Sequence, residues 1–95
     1  MNRLQLLLLK LNEECTEIAK VCSKAMQFGL LNIDPETQKS NKTLLIEELN
    51  DFNGIVKLLN DNYGLGYEPN ECAMSNKAVK IEKYRELSIK LGFCS

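Results

Sequence analysis

The chain has 95 residues, enough for one domain with a modest core, and its 44% apolar and 26% charged content is that of a folded globular protein rather than a disordered one. Twelve basic against thirteen acidic residues leave a net charge of −1, which excludes broad electrostatic binding to nucleic acid. There is no histidine, so Ser-His-Asp and Cys-His catalysis, imidazole-ligated zinc and histidine proton shuttles are excluded for a single chain.

The first periodic block runs from Leu4 to Phe28. Its leucine-rich start resembles a signal core but is too short to span a bilayer; Lys10, Asn12 and Glu13 interrupt it, and no small-residue cleavage site follows. It reads as the opening of a buried helix that stops near Gly29. Residues 30–40 read as a connection with one short turn at Pro35-Glu36-Thr37. Ser40 or Asn41 is placed to cap a second helix over Thr43 to Asn60, and Asp61-Asn62-Tyr63-Gly64-Leu65-Gly66 is turn chemistry. Ser75 or Asn76 is placed to cap a third helix from Lys77 to Leu91, closed by Gly92. No strand-like alternation persists, so the fold class is all-α, a bundle of three main helices in a single domain over residues 1–95.

The first helix is apolar over much of its circumference, and a chain this short cannot surround it. A bundle completed as a homodimer or homotetramer is therefore expected. Cys15, Cys22, Cys72 and Cys94 form no CxxC pair, and on one helix Cys15 and Cys22 stand roughly 10 Å apart, too far to bridge. They read as reduced thiols, mostly packing residues, in a cytoplasmic protein.

The acids carry the chemistry. At about 100° per residue, Glu48 falls within the apolar stripe of the second helix and Asp51 at its edge, between Leu58 and Leu44. On the first helix the stripe centres near Leu4, Leu11, Ile18 and Cys22; Glu14 is flanked by Leu7, Val21 and Ala25, and Glu17 lies beyond Val21 beside Phe28. Residues three apart share a helix face, so Glu14 with Glu17 and Glu48 with Asp51 make two pairs. A lone ExxE or ExxD is ordinarily solvated surface; two pairs on apolar flanks of long helices are hard to explain that way. Four convergent carboxylates repel each other and lose hydration, and a hard divalent cation relieves both. With no histidine and no CxxC, Mg²⁺ or Mn²⁺ fits better than zinc or copper.

Cations and aromatics complete the candidate set. Lys77 and Lys80, in the first turns of the third helix, are placed to reach phosphates with Asn76 as an added donor, and Lys24 is a further candidate. Phe28 and Tyr84 are candidates for stacking on a base, although an aromatic at helical spacing is more often core. Gly64-x-Gly66 lacks the lysine and the strand–helix setting of a phosphate loop.

Glu13-Glu14-Cys15-Thr16-Glu17 followed by Glu48-Leu49-Asn50-Asp51 is similar to the EExxE…ExxD motif of MazG-like, all-α nucleoside triphosphate pyrophosphohydrolases, and Leu11 to Glu17, Ser23 to Gly29 and Leu45 to Asp51 resemble small, often phage-encoded members. The resemblance covers nearly the whole chain and is least distinctive over 30–40 and 60–75. It implies cleavage of a nucleoside triphosphate between its α and β phosphates, in the cytoplasm and with Mg²⁺. It also implies that Glu14, Glu17, Glu48 and Asp51 hold the metal, and that Glu13 and Glu47 assist as outer ligands or by orienting water. The 30 residues between Glu17 and Glu48 sit at or slightly past the long end of the pattern, an insertion that costs little. The rival expectations are a non-catalytic helical adaptor that binds nucleotide or protein, and a plain structural bundle. No nucleic-acid or membrane partner is expected.

Overall fold

Asn2 starts the first helix by a reciprocal cap: its Oδ1 accepts from Gln5 N at 2.8 Å, and its own N–H donates to Gln5 Oε1 at 2.8 Å. In the computed structural model, which describes residues 1–95, α1 then runs over Arg3–Phe28 and ends where Gly29 takes φ 98°. Ser40 caps α2, Asn41–Tyr63, through Thr43 N, and Gly64 closes it in the left-handed conformation at φ 63°. The chain is all-α, with three helices and no strand. No helix is long and apolar enough to cross a membrane.

The third helix differs from its expected start. α3 runs over Glu71–Lys90 and is capped by Asn70, whose side chain accepts from Ala73 N. Ser75 and Asn76 therefore lie inside the helix, and Lys77 and Lys80 are not in its first turn. Glu71 occupies that turn and favours the early start through the helix dipole. Similarly, α2 continues three residues past Asn60, so the turn begins at Gly64.

α1 and α2 form an antiparallel hairpin, and α3 packs against neither. The radius of gyration of 16.7 Å exceeds the ~12 Å usual for this length. Besides Lys24, which the loop engages, the less exposed residues of α1 are Leu4, Leu7, Leu11, Glu14, Ile18, Val21 and Ala25, alternating three and four apart. Those of α2 include Asn41, Leu45, Glu48, Phe52, Ile55 and Leu59, with the same alternation. This is the seam of a helix pair packed knobs into holes. Cys22 is exposed rather than central, and Leu7 and Val21 are buried instead. All four cysteines are free and exposed, so within one chain they are not packing residues.

The connection over 29–42 fixes the register of the hairpin. Asn41, only 2% exposed, donates from Nδ2 to Gly29 O at 2.9 Å, and Lys42 N donates to Leu30 O at 2.8 Å. The predicted turn at 35–37 is present. Asp34 organises it: Oδ1 accepts from Glu36 N at 2.8 Å and Thr37 N at 3.4 Å, and Oδ2 accepts from Lys24 Nζ at 3.0 Å.

Two outcomes follow for stability. Leu59 is 3% exposed, so Leu59→Ala is expected to cost about 2–4 kcal/mol by chemical denaturation, against less than about 0.5 kcal/mol for an exposed apolar residue such as Val79→Ala. The Lys24 ammonium, helped by the Glu36 N–H, holds the Asp34 carboxyl below the ordinary carboxylate range. Its contribution is present above the unfolded-state value of 3.8 and is lost as pH falls through the lower folded value. Asp34→Asn should therefore lower the melting temperature near neutral pH and narrow the gap from wild type in strong acid.

Candidate metal centre

Glu14 and Glu48 occupy seam positions where every neighbouring seam residue but Asn41 is apolar. The antiparallel packing sets them opposite each other, and the next turn of α2 adds Asp51. One oxygen from each of Glu14, Glu48 and Asp51 lies within 4.8 Å of the others. Glu14 and Glu48 are half-buried, and Asp51 is exposed at the rim. Glu14 Oε2 is buried with no hydrogen-bond partner, which for a carboxylate is a costly state.

Burial raises the pKa of Glu48 above its ordinary 4.5. The carboxyl of Glu14 raises it further, by a contact that holds only while one of the two carries a proton and by its charge; Asp51 and then Glu17 add to the effect. Glu17 is thus near enough to be felt electrostatically, but it stays outside the tight set and is exposed. Three of the four expected ligands meet, and the fourth stands beside them.

The cluster opens on a groove of about 510 Å³ lined by Leu7, Lys10, Glu14, Asn50, Asp51, Gly54, Ile55 and Leu58. Lys10 is the one cation on this lining, and the sequence reading passed it over, although its spacing of four to Glu14 and seven to Glu17 puts all three on one face. Gly54 sits in the interior of α2, where it costs about 1 kcal/mol relative to alanine. A Cβ there would meet no atom within 4 Å, so the groove beside Asp51 is open where another residue would project a side chain.

The remaining candidates lie elsewhere or are already engaged. Glu13 pairs with Lys10 at 3.1 Å and Glu47 with Lys39 at 2.7 Å. Lys24 is held by Asp34 and, with Phe28, lines a separate cavity of about 230 Å³ with Asn32, Pro35, Glu36 and Asn41. Its charge is used in the loop, a role that nothing local in the sequence signals. Asn76, Lys77, Lys80 and Tyr84 are on α3, away from the hairpin. Asn76 Nδ2 donates to Cys72 Sγ at 3.9 Å.

The donor set fits a hard divalent cation: all oxygen, all anionic, with an orphaned buried oxygen among them. Around one octahedral Mg²⁺ at most one of the three oxygen pairs stands trans, about 4.2 Å apart, and the others stand cis at about 3 Å, so binding would draw the three carboxylates closer together. The chain matches no family model, no curated protein and no solved structure.

The raised Glu48 pKa sets the sign of a pH effect. The folded state binds this proton more tightly than the unfolded state does, so the contribution is full below 4.5 and is lost as pH rises to the higher folded value. Glu48→Gln should therefore raise the melting temperature of the metal-free protein at neutral pH and leave it nearly unchanged in acid. Mg²⁺ should raise the melting temperature of the wild type, by about 2.7 kcal/mol of added stability at a hundredfold excess over Kd, and should have little effect on the variant.

Proposed function

We propose that the chain is a Mg²⁺-dependent nucleoside triphosphate pyrophosphohydrolase. The observation that carries this reading is the meeting of Glu14, Glu48 and Asp51 from two helices around a buried, unpartnered carboxylate oxygen beside an open groove. The similarity of the two acidic half-motifs to MazG-like enzymes supports the same reading and supplies the reaction. Water attacks a phosphorus, the bond between the α and β phosphates breaks, and a monophosphate and pyrophosphate leave.

Glu14, Glu48 and Asp51 would hold the ion, with Glu17 at the rim as a fourth carboxylate. When bound, Mg²⁺, or Mn²⁺ in its place, supplies charge neutralisation for the phosphates and a lowered pKa for water. Glu13 and Glu47 are the carboxylates available to orient the water and take its proton once their lysines yield. Lys10 on the groove wall is placed to meet phosphate charge. Nothing in this chemistry needs a histidine or a covalent nucleophile, since phosphoryl transfer rests on positioning and electrostatics. On this reading the chain acts in the cytoplasm, where its four thiols stay reduced.

A second reading, a non-catalytic helical adaptor, is favoured by one observation: α3 displays apolar side chains that its own chain leaves uncovered. Product analysis separates the two. With Mg²⁺ and a panel of canonical and modified deoxynucleoside triphosphates, the enzyme is expected to release pyrophosphate rather than orthophosphate. Glu48→Gln and Asp51→Asn should each lower that release by at least about 100-fold, the scale of a lost electrostatic partner of the transition state. No pyrophosphate from any triphosphate, or full activity in both variants, would sink the enzymatic reading.

A further inference from the structure

Glycine is needed where the backbone turns left-handed, where a neighbour crowds the chain, or where a ligand comes close to the backbone. Gly54 lies near the middle of α2, and its φ is not among the positive ones of the chain. A Cβ at this position would meet no atom within 4 Å, so nothing in the chain crowds it. The third reason remains, and Gly54 lines the groove that opens from the acidic cluster.

The groove changes character along its length. One end holds Glu14 and Asp51, with the amide of Asn50 beside them. Lys10 follows one turn along α1, and Gly54 one turn along α2. Leu7, Ile55 and Leu58 make up the rest, and none of these side chains can donate or accept a hydrogen bond. From Glu14 to Leu7 the α1 wall is roughly 10 Å long by helix rise, the reach of a nucleoside measured outward from its first phosphate.

We propose that Gly54 is a specificity-determining residue: the sugar and base of the substrate lie across its bare backbone and against Leu7, Ile55 and Leu58, with the phosphates at the acid end. This rests on the reading of the chain as a nucleoside triphosphate pyrophosphohydrolase. The grading of the groove sets the orientation. A metal-bound triphosphate neutralises the acids and meets Lys10, whereas the face of a base gains by leaving water for an aliphatic wall. The reverse orientation would set phosphate charge among three aliphatic side chains. A flat ring needs close approach over its whole face, and a side chain at position 54 would stand in its way. The glycine weakens α2 relative to alanine, and access for the nucleoside is what that weakness provides.

Titration calorimetry on the full chain with Mg²⁺ separates the two ends of the substrate. The probes are α,β-methylene-ATP, which cannot be cleaved between those phosphates, and inorganic tripolyphosphate, which has no nucleoside. The wild type should bind the nucleotide analogue at least about 10-fold more tightly than tripolyphosphate. Gly54→Leu should lose that advantage, with its affinity for tripolyphosphate changed by less than about 3-fold. Gly54→Ala keeps the test open should the leucine variant fail to fold. It should weaken the analogue by about 3-fold or more, yet raise the melting temperature in EDTA, because alanine is the better helix former. In turnover, either variant should raise KM for a nucleoside triphosphate and leave kcat within about 2-fold. An analogue bound by the wild type no more tightly than tripolyphosphate, or equally by all three chains, overturns the proposal and leaves the catalytic reading standing. A wild type that binds neither probe overturns both.

Discussion

Two carboxylates facing each other in the middle of an apolar seam constrain everything else in the hairpin. At an effective dielectric near 20, a pair of unit charges about 5 Å apart repels by about 3 kcal/mol, and solvent at the open rim reduces the figure for Asp51. Burial adds to the repulsion, as the raised pKa of Glu48 records. Such a pair is tolerated only where one wall stays open to a counter-charge or to water, which is where the groove lies. The open wall beside Asp51, the glycine at position 54 and the exposed rim are therefore consequences of one arrangement.

The hairpin could relieve the repulsion by sliding α2 along α1, since a shift of one turn would set leucines against both acids. The far end prevents it. Asn41 is tied to Gly29, Lys42 to Leu30, and Asp34 to both Lys24 and its own turn. These bonds fix the distance along the chain between the end of α1 and the start of α2, and hence which residues oppose each other. Lys24 thus acts on the acidic cluster only through register; its ammonium is engaged three turns away. The loop insertion between the two half-motifs is long, but its length is absorbed by a closed turn rather than by slack.

Much of this arrangement is legible in the residues themselves. Asn2 with Gln5, Gly29, Ser40 and Gly64 are local signals, and each acts at a helix end as its chemistry requires. The acids were traceable because three-residue spacing survives any uncertainty in helix phase. Phase itself was less secure. Exposed Leu8, Ala19 and Met26 lie beyond Cys22 on the wheel and pull an averaged apolar stripe towards it, whereas the packed seam follows Leu7, Glu14 and Val21. The expected cap at Ser75 or Asn76 falls inside α3 because Asn70, with the acid at Glu71 behind it, already starts the helix there. Lys24 with Asp34 and Lys39 with Glu47 are pairs made by loop closure, eight to ten residues apart, and no periodicity announces them.

The placement of charge on α1 lets one helix serve two purposes. Its apolar seam faces α2, and every charged residue from Arg3 to Lys24 falls within about a third of the circumference, on the side that borders the groove. Glu14 stands where the two arcs meet. Its carboxylate is therefore half-buried among seam residues and yet lines the open groove, the one position on the helix that combines desolvation with access to a counter-charge.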